Sequence, residues 1–315
     1  MQLKLIPAAA ALLAAVASFP THAAALAAAD ITVSGLGVID VSTGLPIPAS
    51  YIQINSESRT GTAAANYNGV AATGVGAPSI SSFTVGDTVD VGYRCAGDCG
   101  AGTAALYGGV LENNSATHLT PPPAANFALG DMKLEGSALA SNTAFGLTRA
   151  DAAATGPTNK GGANATILNS AEILANFTVE QSFTGSVVLL ADAYLRAWVD
   201  SPAIAGQFST AAAGYGFVLS LFDDTAGTSV LTFAPSQLNK TFSSTSSGGT
   251  PDKSFSFSGA LSSVAAFFTG GHTYSLAINQ SSNATVSVIP EPASIALLGA
   301  ALMAAGVATR RSLKK

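Results

Sequence analysis

Charged side chains are scarce: 13 Lys+Arg and 18 Asp+Glu make up 10% of the 315 residues, against about 25% in an ordinary soluble domain. Positive charge is the rarer sign, which argues against binding nucleic acid through a phosphate-neutralising surface. Cysteine is limited to two residues and histidine to three, a poor stock for a structural zinc centre. Aromatic residues are 7% of the chain, with a single tryptophan. Gly-x-Ser-x-Gly is absent, so no nucleophile elbow is signalled. Neither a calcium-loop nor a phosphate-loop pattern occurs, and no fixed-period repeat points to a solenoid. What remains is 48% hydrophobic with 32 glycines, apolar enough to bury a core and unlike a fully disordered chain.

The few charges are unevenly placed. Lys4 lies near the start and Arg310, Arg311, Lys314 and Lys315 close the chain, while Glu291 is the one acid in either terminal segment. Between Asp30 and Ile289 this leaves 8 basic and 17 acidic residues, a balance of −9. Such a body should stay soluble and avoid anionic surfaces. Residues 1–25 read as a secretory signal peptide. Lys4 is followed by an apolar run from Leu5 through Val16, then Pro20 and the small residues Ala23, Ala24 and Ala25. Cleavage after Ala23 or Ala25 satisfies the small-x-small rule.

At the other end Pro290-Glu291-Pro292 precedes seventeen uncharged residues, Ala293 to Thr309. As a transmembrane helix, residues 293–309 would span about 25 Å at ~1.5 Å per residue, the short end of what crosses a bilayer core. The basic tail, residues 310–315, would hold the C-terminus on the cytoplasmic side by the positive-inside rule. This tripartite segment, 290–315, resembles the PEP-CTERM sorting signal of Gram-negative bacteria. The resemblance covers about 26 residues plus the signal peptide and leaves the body undefined. It implies export by signal peptidase and the secretion machinery, then transient anchoring in the inner membrane. Recognition of Pro290, Glu291 and Pro292 by an exosortase, with removal of the tail, would follow. The body would then reach the cell surface or an extracellular matrix rich in exopolysaccharide and biofilm.

The body, 26–289, has the periodicity of strands. Val187, Leu189, Ala191, Ala193, Leu195, Ala197 and Val199 alternate with Asp192, Tyr194, Arg196 and Trp198, a period of two that a helix would not show. Tyr215 to Phe222, the turn Asp223-Asp224-Thr225-Ala226-Gly227 and Val230 to Phe233 read as a hairpin. Phe255 and Phe257, then Tyr274, Leu276 and Ile278, and finally Ala284, Val286 and Val288 continue the series. Ile31 to Val41, Tyr51 to Ile54 and Phe83 to Tyr93 are expected strands in a less regular first half. Thr60 to Ala77 shows no strong pattern, and Thr120-Pro121-Pro122-Pro123 is a stiff loop. The fold class expected is all-β, an antiparallel β-sandwich, with jelly-roll topology as one version. Residues 150–165 form a low-pattern stretch where the body would divide if it held two domains; a single sandwich is the preferred reading.

Cys95 and Cys99, in a chain that leaves the cytoplasm, are expected to form a local disulfide, with Gly97 easing closure of the small loop. A redox centre fits less well, since that motif has two intervening residues and this one has three. His118 and His272 lie in loops. Asp192, Asp200, Asp223 and Asp224 flank strands, and Asp223-Asp224 suits a turn better than glycoside hydrolysis. Trp198 and Tyr194 share one strand face with Arg196, either as an exposed strip that stacks on sugar rings or as a face covered by another layer. No catalytic, cofactor-binding or metal-ligating set stands out. The leading expectation is a non-enzymatic surface or matrix protein. A carbohydrate-binding module and a secreted hydrolase are the alternatives.

Overall fold

A computed structural model describes residues 24–72, 79–114, 118–139, 143–156, 160–168, 175–200, 208–247 and 252–289. The signal peptide up to residue 23, Pro290-Glu291-Pro292, the helix expected at 293–309 and the basic tail lie outside the described residues. The chain opens with β1 (Ala24–Asp40), β2 (Leu45–Pro46), β3 (Ile52–Ser56), β4 (Arg59–Tyr67), β5 (Val70–Ala71) and β6 (Ser79–Ser82). Then come β7 (Val89–Asp90), β8 (Arg94–Gly97), the short helix α1 (Ala101–Leu106), β9 (Phe127–Glu135), β10 (Ala144–Thr155) and β11 (Lys160–Leu168). The second half contains β12 (Ala175–Val179), β13 (Phe183–Val199), β14 (Phe208–Asp223), β15 (Thr228–Phe233) and β16 (Lys240–Thr245). It closes with β17 (Asp252–Ser262), β18 (Ala266–Phe268) and β19 (Thr273–Ile289).

These strands make two antiparallel sheets packed face to face. The first runs β17-β13-β1-β10-β9-β7 and the second β15-β14-β19-β11-β4-β5, with short strands attached to both. The protein is therefore an all-β antiparallel sandwich. Residues 150–165 carry the chain from β10 in the first sheet to β11 in the second, and each sheet takes strands from both sides of that crossing. Among the described residues no helix is long and apolar enough to cross a membrane.

The alternation in β13 is physical: its odd residues from Phe183 to Val199 are buried in the sandwich, whereas its even ones are mostly half-buried or exposed. The core grades along the strands. At one end it is alanine, with Ala25, Ala27, Ala29, Ala150, Ala152, Ala154, Ala197, Ala211, Ala213 and Ala284 in a single cluster. At the other end Phe183 stacks on Phe268 at 4.6 Å and Phe177 on Tyr274 at 5.5 Å. Each such fully buried ring contributes about 1.5–3 kcal/mol. Where β4 crosses β9, Gly61 has no room for a side chain, since a Cβ there would lie 2.2 Å from Sδ of Met132. Polar groups tie the sheets at mid-height: Gln280 Nε2 donates to the Ile31 carbonyl at 3.0 Å, and Ser282 Oγ donates to the Thr148 carbonyl at 3.0 Å.

Two stretches differ from the expectation drawn from pattern. Phe83 to Tyr93 is strand only at Val89–Asp90, and Phe83 is exposed. Val89 and Val91 are buried in the core while Phe83 and Val85 are exposed, because residues 83–88 form the turn that links β6 of the second sheet to β7 of the first. Thr60 to Ala77, which has little pattern, contains the regular strand β4, whose inward residues include Gly61, Ala63 and Ala65.

Candidate functional site

The outer face of the first sheet is covered over β1, β9 and β10, while β13 and β17 remain partly open. Between β7 and β9 the chain makes an excursion, residues 91–126, that folds over it. Leu26, Tyr107, Leu111, Leu119, Phe127, Leu129 and Ala153 form a second small core beneath this cap, with Trp198 packed at its margin. The Cys95–Cys99 disulfide links β8 to the residues just before α1. Gly97 sits inside that loop at φ +92°, where a Cβ would meet the Asn126 carbonyl at 2.4 Å. Asn126 closes the cap on the sheet. Its backbone N–H donates to Asp98 Oδ2 at 3.0 Å, and its Oδ1 accepts from the Thr155 backbone N–H at 2.6 Å.

Strand register then places a line of ionisable groups across the covered face. Tyr194 of β13 lies opposite Asp30 of β1, Asp30 opposite Arg149 of β10, and Arg149 opposite Asp131 of β9. Arg149 is 2% exposed. It donates from Nε to Asp151 Oδ2 at 2.6 Å and from Nη1 to the Asn114 carbonyl, with its guanidinium 4.3 Å from the centre of the Tyr107 ring. Tyr107 in turn donates its hydroxyl to Asp151 Oδ2 at 2.9 Å. Burial holds the Asp30 carboxyl well above the usual carboxylate range, against the pull of Arg149 and helped by the charges of Asp151 and Asp131. Its Oδ1 is buried without a hydrogen-bond partner. One guanidinium thus faces three buried acids, Asp30, Asp131 and Asp151.

The edge of this face carries a second group. Asp90, Glu112 and Asp131 each offer a carboxylate oxygen within 4.8 Å of the others. A backbone N–H holds each carboxylate in place: Gly92 donates to Asp90 Oδ1 at 3.1 Å, Tyr93 to Glu112 Oε2 at 2.9 Å, and Asn113 to Asp131 Oδ2 at 2.6 Å. Burial and the neighbouring Glu112 charge push Asp131 up to about 7; burial also raises Glu112. Sequence reading did not identify this set. Its members are separated by about twenty residues each, so no local motif announces them, and only the pairing of β7 with β9 and the path of the cap bring them together.

The aromatic strip is partly occupied. His118, at the start of the proline-rich loop, stacks on Tyr194 with ring centroids 3.8 Å apart, and Trp198 is half-buried under the cap. Arg196 is engaged bidentately by Asp252 at 3.0 and 2.8 Å. Beside the His118–Tyr194 stack lies a pocket of about 190 Å³, lined by Asp30, Thr32, Asp192 and Ser256 among others. His272, the other loop histidine, meets Asp223 Oδ2 through Nδ1 at 2.8 Å. Asp223 also accepts from the Ala226 N–H within its turn, and Asp224 from Ser275 Oγ at 2.7 Å. These acids organise the β14–β15 hairpin. Comparison with known proteins finds no matching family model, no similar curated protein and no similar solved structure.

Proposed function

We propose that the chain is an exported, non-enzymatic cell-surface or matrix protein, processed by an exosortase and held among extracellular polysaccharide. The observation that carries this reading is the ordered C-terminal segment, Pro290-Glu291-Pro292, the uncharged residues 293–309 and the basic tail 310–315, in a chain that opens with a signal-peptide pattern. The described strands, from β1 (Ala24–Asp40) to β19 (Thr273–Ile289), lie between the two terminal segments. Both terminal strands are central: β1 lies between β10 and β13, and β19 between β14 and β11. Loss of either would open the core. A cut after Ala25 would remove Ala24 and Ala25, which are buried and paired with Thr155 and Ala154 of β10, and this counts against that cut.

Mass spectrometry of the mature protein tests the reading. The expected N-terminus is Ala24, with the C-terminal tail absent in cells that contain an exosortase and retained in cells that lack one. A chain ending at Lys315 in both strains would defeat the sorting proposal. The carbohydrate-binding alternative predicts that Trp198→Ala abolishes retention on the producer's own exopolysaccharide. Because Trp198 is half-buried at the margin of the capped core and His118 covers one face of Tyr194, the surface-protein reading expects retention to be unchanged.

A further inference from the structure

We propose that Asp90, Glu112 and Asp131, with the side-chain carbonyl of Asn113, form a calcium site that fastens the 91–126 cap to the first sheet. The ligand set is all oxygen, which suits a hard cation and not zinc or copper. Calcium holds oxygens at about 2.3–2.6 Å, so two ligands on opposite sides of the ion stand about 4.6–5.2 Å apart. The three carboxylate oxygens all lie within 4.8 Å of one another, close enough to share one such ion. Magnesium binds at about 2.0–2.1 Å, demands a stricter octahedron and gives up its waters reluctantly, which a set of protein oxygens suits less well.

A second observation separates this group from an ordinary acidic cluster. Asp131 is 0% exposed, and its Oδ1 is buried without a hydrogen-bond partner; Asn113 is half-buried, but its Oδ1 is likewise out of reach of solvent and without a partner. The amide of Asn113 donates from Nδ2 to Asp90 Oδ2 at 2.8 Å, which fixes its orientation and leaves the carbonyl oxygen without a donor. Buried acceptors of this kind are costly unless something positive meets them. The nearby cations have ion-pair partners outside the group, Arg149 with Asp151 and Lys133 with Glu135 at 2.8 Å, and act on Asp131 and Glu112 through their fields. A divalent ion would satisfy both orphan oxygens and balance three carboxylates. Two ligands, Asp90 and Asp131, belong to the sheet, while Glu112 and Asn113 belong to the cap, so the ion would act as a staple between them.

Chelator-treated mature protein, titrated with calcium chloride by calorimetry and then melted with calcium, magnesium or chelator, tests the proposal. One calcium per chain is expected, with Tm about 5 °C or more higher in saturating calcium than in chelator, and a smaller rise in magnesium. Asp131→Asn keeps the shape of the side chain and removes a charge. It should weaken calcium binding at least ~10-fold while melting no lower than the parent in chelator, so loss of binding is separable from loss of folding. Glu180→Gln, remote from the group, should leave the response intact. Absence of a calcium-dependent shift in the parent protein would overturn the site. An undiminished response in Asp131→Asn, or preferential binding of zinc, would do the same.

Discussion

Arg149 is the point at which the covered face is most vulnerable. Replacing it by Met keeps much of its volume and removes the one guanidinium that confronts Asp30, Asp131 and Asp151. Truncating one partner of a buried ion pair costs about 3–5 kcal/mol, because the remaining charge stays desolvated. Here the 2.6 Å contact to Asp151 and the approach to the Tyr107 ring are lost together, so Arg149→Met should fall within that range at pH 8. The acids can relieve the strain by taking up protons. In the variant the folded-state pKa values of Asp30 and Asp131, already raised by burial, rise further above the unfolded value of about 4 once Arg149 no longer pulls them down. The folded chain then binds more protons than the unfolded one, and stability falls as pH rises through the window between the two values. The deficit should therefore be smaller at pH 5 than at pH 8. Urea unfolding at both pH values, followed through the fluorescence of Trp198 at the edge of the same small core, gives both numbers. A loss below about 1 kcal/mol at both, or a larger loss at pH 5, would refute the view that Arg149 neutralises buried carboxylates.

Two further outcomes follow from neighbouring groups. Asp30→Asn should raise stability at neutral pH and flatten its decline above about pH 4, since the Asp30 carboxyl is held well above its ordinary range and favours the protonated form in the fold; urea melts across pH 4–8 that superimpose on those of the parent would count against it. Replacing Cys95 and Cys99 together by Ser should cost about 2 kcal/mol from the entropy of so short a loop. Because the bond lies within the cap, proteolysis of residues 91–126 should accelerate more than global unfolding does; equal acceleration of both would disprove a local role.

The strands legible from sequence are those with one buried face. In β13 and in the β14–β15 hairpin, alternation and the Asp223–Gly227 turn suffice, because an apolar residue faces the core and a polar one faces outward. Strand β4 hides the same alternation, since its inward residues include Gly61, Ala63 and Ala65, too small to stand out from their neighbours. Strands β1, β9 and β10 hide it for another reason: the cap buries their outer face as well, and residues on both sides of these strands are inaccessible. A period of two reports a difference between two faces, and it disappears when both are covered. This is why Ala24 and Ala25 read as the end of a leader and not as the start of a central strand, and why the stretch after Ala150 reads as a break.

By itself the sequence determined the fold class, the hairpin, the acidic body and the terminal segments on which the export proposal rests, since each depends on neighbours within a few residues. Tertiary structure alone decided which charges are buried and which of them meet. Asp30, Arg149 and Asp131 come from three strands distant in sequence and become adjacent only through register, and Glu112 joins Asp90 and Asp131 only because the cap folds back over the sheet. Desolvation and Coulomb coupling depend on distance in space, and no local pattern of residues encodes it.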